Sequence, residues 1–146
     1  MIMNSGVMVS QSSYSFGDIA KDIIEHNNIS LNANNVSVNT SFSVMSVGEL
    51  GFSTSTTYGA VCEQVVKMGL RLCEPEIGPW LRFNNSKDIV VDDVVVAMLP
   101  LVDGEGVHHS LFRVRKDSYS GSKCLSCYYG KRDRVCSVNQ KFVFTR

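Results

Sequence analysis

Val94-Val-Val-Ala-Met-Leu-Pro-Leu-Val102 runs into Asp103-Gly-Glu-Gly106 and out through His108-His-Ser-Leu-Phe-Arg-Val-Arg115. The first piece is apolar at consecutive positions, so a strand built from it is covered on both faces, as a central strand is. The glycine-bearing tetrad reads as a hairpin turn. The returning piece places His109, Leu111, Arg113 and Arg115 on one face and His108, Ser110, Phe112 and Val114 on the other, by the two-residue period of a strand. Residues 94–101 and 107–115 are therefore the expected centre of an antiparallel sheet.

Working outward, the chain turns at 118–122, and Lys123 to Tyr129 supplies a further strand. After a turn at 130–133, Lys141 to Thr145 is the last strand, with Phe142 and Phe144 facing one way. Upstream, Val36-Ser-Val-Asn-Thr-Ser-Phe-Ser-Val44 alternates, which makes 36–45 a half-buried strand broken by Gly48 and Gly51. Trp80-Leu-Arg-Phe83, behind the rigid turn between Pro75 and Pro79, reads as a short strand.

Two segments carry the helical period instead. In 16–26, Phe16, Ile19, Ala20, Ile23 and Ile24 form one apolar stripe, with Ser15 as N-cap and a stop near His26-Asn27-Asn28. In 57–68, Val61, Val65 and Met68 share a face with Cys62 and Val66 beside them; Ser55 or Thr56 caps the start and Gly69 follows the end. The expected architecture is α+β: two amphipathic helices packed on one face of a mostly antiparallel sheet, with the far face partly open.

The chain has 146 residues, 44% of them apolar and 19% charged. That suits a single globular domain over 1–146, with 1–14 read as a flexible N-terminal segment. The longest apolar run, Val94 to Val102, is far short of the ~20 residues that cross a bilayer, so no membrane segment is expected. No signal peptide is visible and the five cysteines are odd in number, so a cytoplasmic location with reduced thiols is the expectation.

Formal net charge is zero, but unevenly spread. From Arg113 to Arg146 there are nine cations against two acids. The candidate binding residues are accordingly Arg113, Arg115, Lys116, Tyr119, Lys123, Tyr128, Tyr129, Lys131, Arg132 and Arg134. Basic side chains interleaved with aromatics form the footprint of a polyanion binder. They are equally what the solvent face of any strand carries.

Cys124-Leu-Ser-Cys127, with Cys136 downstream and His108 or His109 upstream, contains the ligand types of a zinc site. It lacks a second cysteine pair, and on a regular strand Cys124 and Cys127 point to opposite faces. No Cys–His nucleophilic signature, phosphate-cradling loop or acid–base pair stands out. No cofactor is called for.

Leu70-Arg-Leu-Cys-Glu-Pro-Glu-Ile-Gly-Pro-Trp-Leu-Arg82, Ala97-Met-Leu-Pro100, Asp103-Gly-Glu-Gly106 and Phe142-Val-Phe-Thr-Arg146 together resemble a pattern in a group of short bacterial hypothetical proteins. Those proteins run Leu-Cys-Pro-x-Glu-Val-Gly-Pro-x-Leu-Arg, then Ala-Met-x-Pro, then a terminal Phe-Val-Phe-x-Arg. The resemblance covers residues 59–146, departs between Lys123 and Asn139, and implies no activity.

Three function classes follow. The first is a small non-enzymatic binding module presenting its basic, tyrosine-bearing C-terminal surface to a protein or glycan. The second is a nucleic-acid binder using the same cations. The third is a thiol- or zinc-dependent enzyme built on Cys124, Cys127, Cys136 and His108 or His109. The absence of a catalytic constellation ranks the first ahead.

Overall fold

The computed structural model describes residues 18–29, 41–83, 92–102, 106, 109–116 and 119–146. The expected N-terminal segment, the Ser15 cap, the 36–40 part of the first strand, most of the 103–106 turn and His108 lie outside the described residues.

Eight strands are present among them: β1 (Phe42–Ser46), β2 (Thr56–Thr57), β3 (Asp93–Val96), β4 (Leu101–Val102), β5 (His109–Lys116), β6 (Lys123–Tyr129), β7 (Val135–Cys136) and β8 (Lys141–Thr145). The main sheet runs β1-β8-β3-β5, with β4 continuing the line of β3 along one edge of β5 and β6 on its other edge. Only β8 and β3 are parallel, with Val95 beside Phe142 and Val96 beside Val143. β2 and β7 form a separate antiparallel pair. The fold is α+β with a mostly antiparallel sheet, as the alternating segments require.

The hairpin at the centre differs in detail from a continuous ladder. Val95 sits opposite Arg113, but Leu101 sits opposite Ser110, so three extra residues lie on the first strand. Pro100 lacks the N–H that a ladder needs there. The bulged segment turns Leu99 out to 73% exposure while Ala97 and Met98 stay buried.

Helix α1 (Asp18–His26) ends as expected. Asn28 takes the left-handed conformation at φ 53°, and the Asn27 side chain donates to Val102 O of β4. Helix α2 (Tyr58–Lys67) is capped by Thr57, not by Ser55 or Thr56: the Thr57 hydroxyl accepts from Ala60 N at 3.2 Å. It closes on Gly69 at φ 81°, with Gly69 N bonded to Val66 O and Leu70 N to Val65 O, the double bond of a Schellman end. Its buried face is Tyr58, Val61 and Val65, whereas Val66 and Met68 face out.

The main correction is a third helix, α3 (Ile77–Phe83), where a strand over 80–83 was expected. Pro79 occupies its first turn, where an N–H has no partner to lose. Ile77 N, Gly78 N and Trp80 N bond back to Glu74, Pro75 and Glu76. Ile77 and Leu81, four apart, are both buried.

Helices cover both faces of the sheet, contrary to the one-face expectation. On the Phe112 face, Gly78 of α3 lies so close that a Cβ there would meet the Phe112 ring at 2.6 Å, and Trp80 rests 5.2 Å from the Phe42 ring. On the opposite face, Tyr58 of α2 stacks on Phe142 at 5.8 Å. Tyr58, Phe112, Phe142, Phe144, Leu111 and Leu125 are fully buried between these layers. Among the described residues no helix is long and apolar enough to cross a membrane.

Candidate functional site

The β5–β6 ribbon positions most of the candidate residues. Its register, Ser110 opposite Tyr129 through to Lys116 opposite Lys123, sorts side chains by alternation. One face carries Phe112, Val114 and Leu125, all buried, with the Phe112 ring against Gly78 of α3. The other carries Arg113, Arg115, Cys124, Ser126 and Tyr128. Near the hairpin tip this second face is open: Arg115 is exposed, and Arg113, Cys124 and Ser126 are half-buried.

Two devices fix its charges. Arg113 donates through Nε (2.9 Å) and Nη2 (2.7 Å) to the two carboxylate oxygens of Asp93, at the start of β3. The hydrogen-bonded guanidinium holds the Asp93 carboxyl below its ordinary range, and the carboxylate raises Arg113 in return. Arg134, beyond the end of β6, lays its guanidinium 4.5 Å from the Tyr128 ring centre, and Arg113 approaches the same ring at 5.9 Å. Tyr128 itself is only 7% exposed, its edge against Phe142 and its hydroxyl 3.6 Å from Cys136 Sγ. Cation–π contact of this kind orients a guanidinium without neutralising it.

Arg113, Arg115 and Arg134 thus gather on one side of the ribbon, and among the described residues Asp93 is the carboxylate paired to them. The other candidates are elsewhere. Lys116 and Lys123 face one another across the ribbon on its α3 side, where Lys123 Nζ donates to Leu81 O at 3.1 Å and burial and Arg82 lower its pKa. Tyr129 lies on that side as well, half exposed. Arg132 pairs with Glu63 of α2 at 2.9 Å and covers Gly59. Lys131 is exposed in the next turn, and Tyr119, 99% exposed, stands at the ribbon's tip.

The thiols do not converge. Cys124 lies opposite Arg115 on the open face, whereas Cys127 lies opposite Phe112 on the other. Cys136 is buried beside Tyr128. No group of three metal-ligating side chains forms among the described residues, which include His109. Burial pushes the Cys127 thiol up to about 11 and raises Cys62 and Cys136 as well, which keeps them protonated and poorly nucleophilic at neutral pH.

A cleft of about 470 Å³ opens where β3 and β8 begin, with Val44, Asp92, Asp93, Val94, Ser137 and Lys141 among its lining residues. It contains no nucleophile–base pair and adjoins the arginine patch through Asp93.

The sequence reading missed Asp93 as the anchor of Arg113, and the stacking of Arg134 on Tyr128. The first was legible once Asp93 was set opposite Arg115 in the hairpin register. The second joins residues across a turn, and no spacing rule signals it. Comparison with family models, with curated proteins and with solved structures finds no match.

Proposed function

We propose that this protein is a small non-enzymatic binding module that docks an acidic surface of a partner protein on the open face of its β5–β6 ribbon. The observation that carries this reading is the arrangement of Arg113, Arg115 and Arg134 on one side of the ribbon, with Asp93 the one carboxylate paired to them among the described residues. The ribbon's rear face is anchored in the core by Val114 and Leu125. A rigid backing of this kind reduces the ordering cost of binding.

The split of the remaining cations favours a protein over a nucleic acid. A polyanion needs a track of phosphate contacts, and Lys116 and Lys123 point away from the three arginines. Raised thiol pKa values and dispersed cysteines weigh against a thiol enzyme. Five unpaired thiols fit a reducing, cytoplasmic setting.

The test is fluorescence anisotropy of the full chain with a labelled glutamate-rich peptide, single-stranded RNA and duplex DNA, at low and physiological salt. Binding of the peptide that weakens with salt and is lost in Arg115→Glu supports the reading. Preference for either nucleic acid, or no binding to any of the three at low salt, refutes it.

A further inference from the structure

We propose that Arg113, Arg115 and Arg134 clamp a phosphomonoester, the phosphate of a phosphorylated side chain on the partner protein. This deepens the binding-module reading and rests on it.

The charge arithmetic selects the ligand. Among the described residues, three guanidiniums against the paired Asp93 carboxylate leave two positive charges on the open face. A phosphomonoester carries about −1.5 to −2 at neutral pH on three strong acceptor oxygens, whereas a carboxylate or a phosphodiester carries a single charge. The side-chain types agree. Among the described residues every cation on this face of the ribbon is an arginine, and the lysines Lys116 and Lys123 sit on the other face. The planar guanidinium fork matches pairs of phosphate oxygens in a way that an ammonium does not.

The geometry also leaves room and donors. The register partners of Arg113 and Arg115 are Ser126 and Cys124, so small side chains lie beside these two arginines on the same face, and Ser126 adds a hydroxyl. Arg113 spends Nε and Nη2 on Asp93 and keeps Nη1 for a ligand. Arg134 is already laid on the Tyr128 ring at 4.5 Å. Two of the three arginines therefore lose little rotamer freedom when an anion arrives.

The experiment uses the full chain and one glutamate-rich peptide made with phosphoserine, serine or glutamate at its centre, alongside a 5′-phosphorylated oligonucleotide. Calorimetric titration is expected to give about tenfold tighter binding of the phosphoserine form than of either other form, the gain of roughly one charge-assisted bidentate contact. That preference should vanish in Arg115→Ala, an exposed position, and in Arg134→Lys, which keeps the charge but not the fork. Equal affinity for all three peptides overturns the phosphate clamp and leaves the acidic-partner reading standing. No binding of any peptide overturns both. Tighter binding of the oligonucleotide, or a phosphoserine preference that survives both variants, also overturns the clamp.

Discussion

Tyr58→Phe removes a single oxygen, yet it should cost far more than a typical surface change. The chain leaves the ladder at Val96 and rejoins it at Leu101, stranding the buried Met98 in between. The Tyr58 hydroxyl repairs the break: it donates to Met98 O at 2.6 Å and accepts from Met98 N at 3.0 Å. Burial pushes that hydroxyl far above the ordinary tyrosine range, so it stays protonated and able to donate. In the variant the ring still stacks on Phe142, but two buried backbone groups lose their partner. At about 1–3 kcal/mol for each orphaned group, the loss is about 2–6 kcal/mol, out of the ~5–15 kcal/mol that holds a domain folded. With a urea m-value of about 2 kcal/mol/M, the unfolding midpoint falls by roughly 1–3 M. Trp80 fluorescence reports the transition, and Tyr128→Phe is the control, since its hydroxyl meets side chains, the Cys136 sulfur at 3.6 Å and Arg134, and not the backbone of the bulge. A Tyr58→Phe loss no larger than the control's would refute the argument that this hydroxyl closes the bulge.

Gly78→Ala adds a methyl 2.6–2.8 Å from three carbons of Phe112, one of them its Cβ; overpacking should outweigh the gain in helix propensity and destabilise by about 1–2 kcal/mol in the same urea assay. Thr57→Ala removes the cap of α2 and should cost about 1 kcal/mol, measured in the same way. The depressed Asp93 pKa means that its pair with Arg113 stabilises the fold above the unfolded carboxyl value near ~4, and that this contribution is lost as pH falls through the lower folded value. Because the two side chains are 41% and 26% exposed, screening limits it to about 0.5–1 kcal/mol; the stability gap between the parent and Asp93→Asn should be present at pH 7 and close below pH ~4. Cys73 and Cys127, both held near 11 by burial, should react with iodoacetamide at pH 8 about a hundredfold more slowly than a free thiol, from their scarcity of thiolate. Mass spectrometry after a short pulse reads this, and modification at the rate of glutathione would contradict it.

The strands were the legible part of the fold because their signal is local. Alternation in 107–115 and 141–145, and the continuous apolar run at Val94, each describe one strand's own faces, and the ladder formed where those faces match. The ends of the helices were legible for the same reason: Asn28 and Gly69 mark left-handed positions that few other residues accept. What failed was α3. A proline ahead of Trp80-Leu-Arg-Phe83 suggests extended backbone, and the competing pair Ile77 and Leu81 spans only one helical turn. Its helical state is favoured from outside, because Gly78 lets the helix sit against Phe112 and no bulkier residue would fit there.

That one error moves the candidate site. With both helices on a single side, the far side of the sheet and the loop 116–140 are the expected binding surface, and the ten cations and tyrosines are drawn from the C-terminal segment as one set. A third helix covers the Phe112 side, so alternation now decides which cations share a surface: Arg113 and Arg115 fall on the open side and Lys116 and Lys123 on the covered one. Charge count in a sequence window therefore overstated the patch, while side-chain type understated it. Of the ten candidates, the three arginines on this side are held by Asp93 or by the Tyr128 ring, or lie directly across from Asp93 in register, whereas Arg132 is held away from them by Glu63. Neither Asp93 nor Tyr128 advertises such a role in isolation. Asp93 acquires it because an antiparallel register sets it opposite Arg115 and diagonal to Arg113, and Tyr128 because the turn after β6 brings Arg134 back over its ring. On the proposed reading, the specificity of this surface resides in two contacts made by folding, and disrupting either should change which anions it prefers before it changes how many charges it carries.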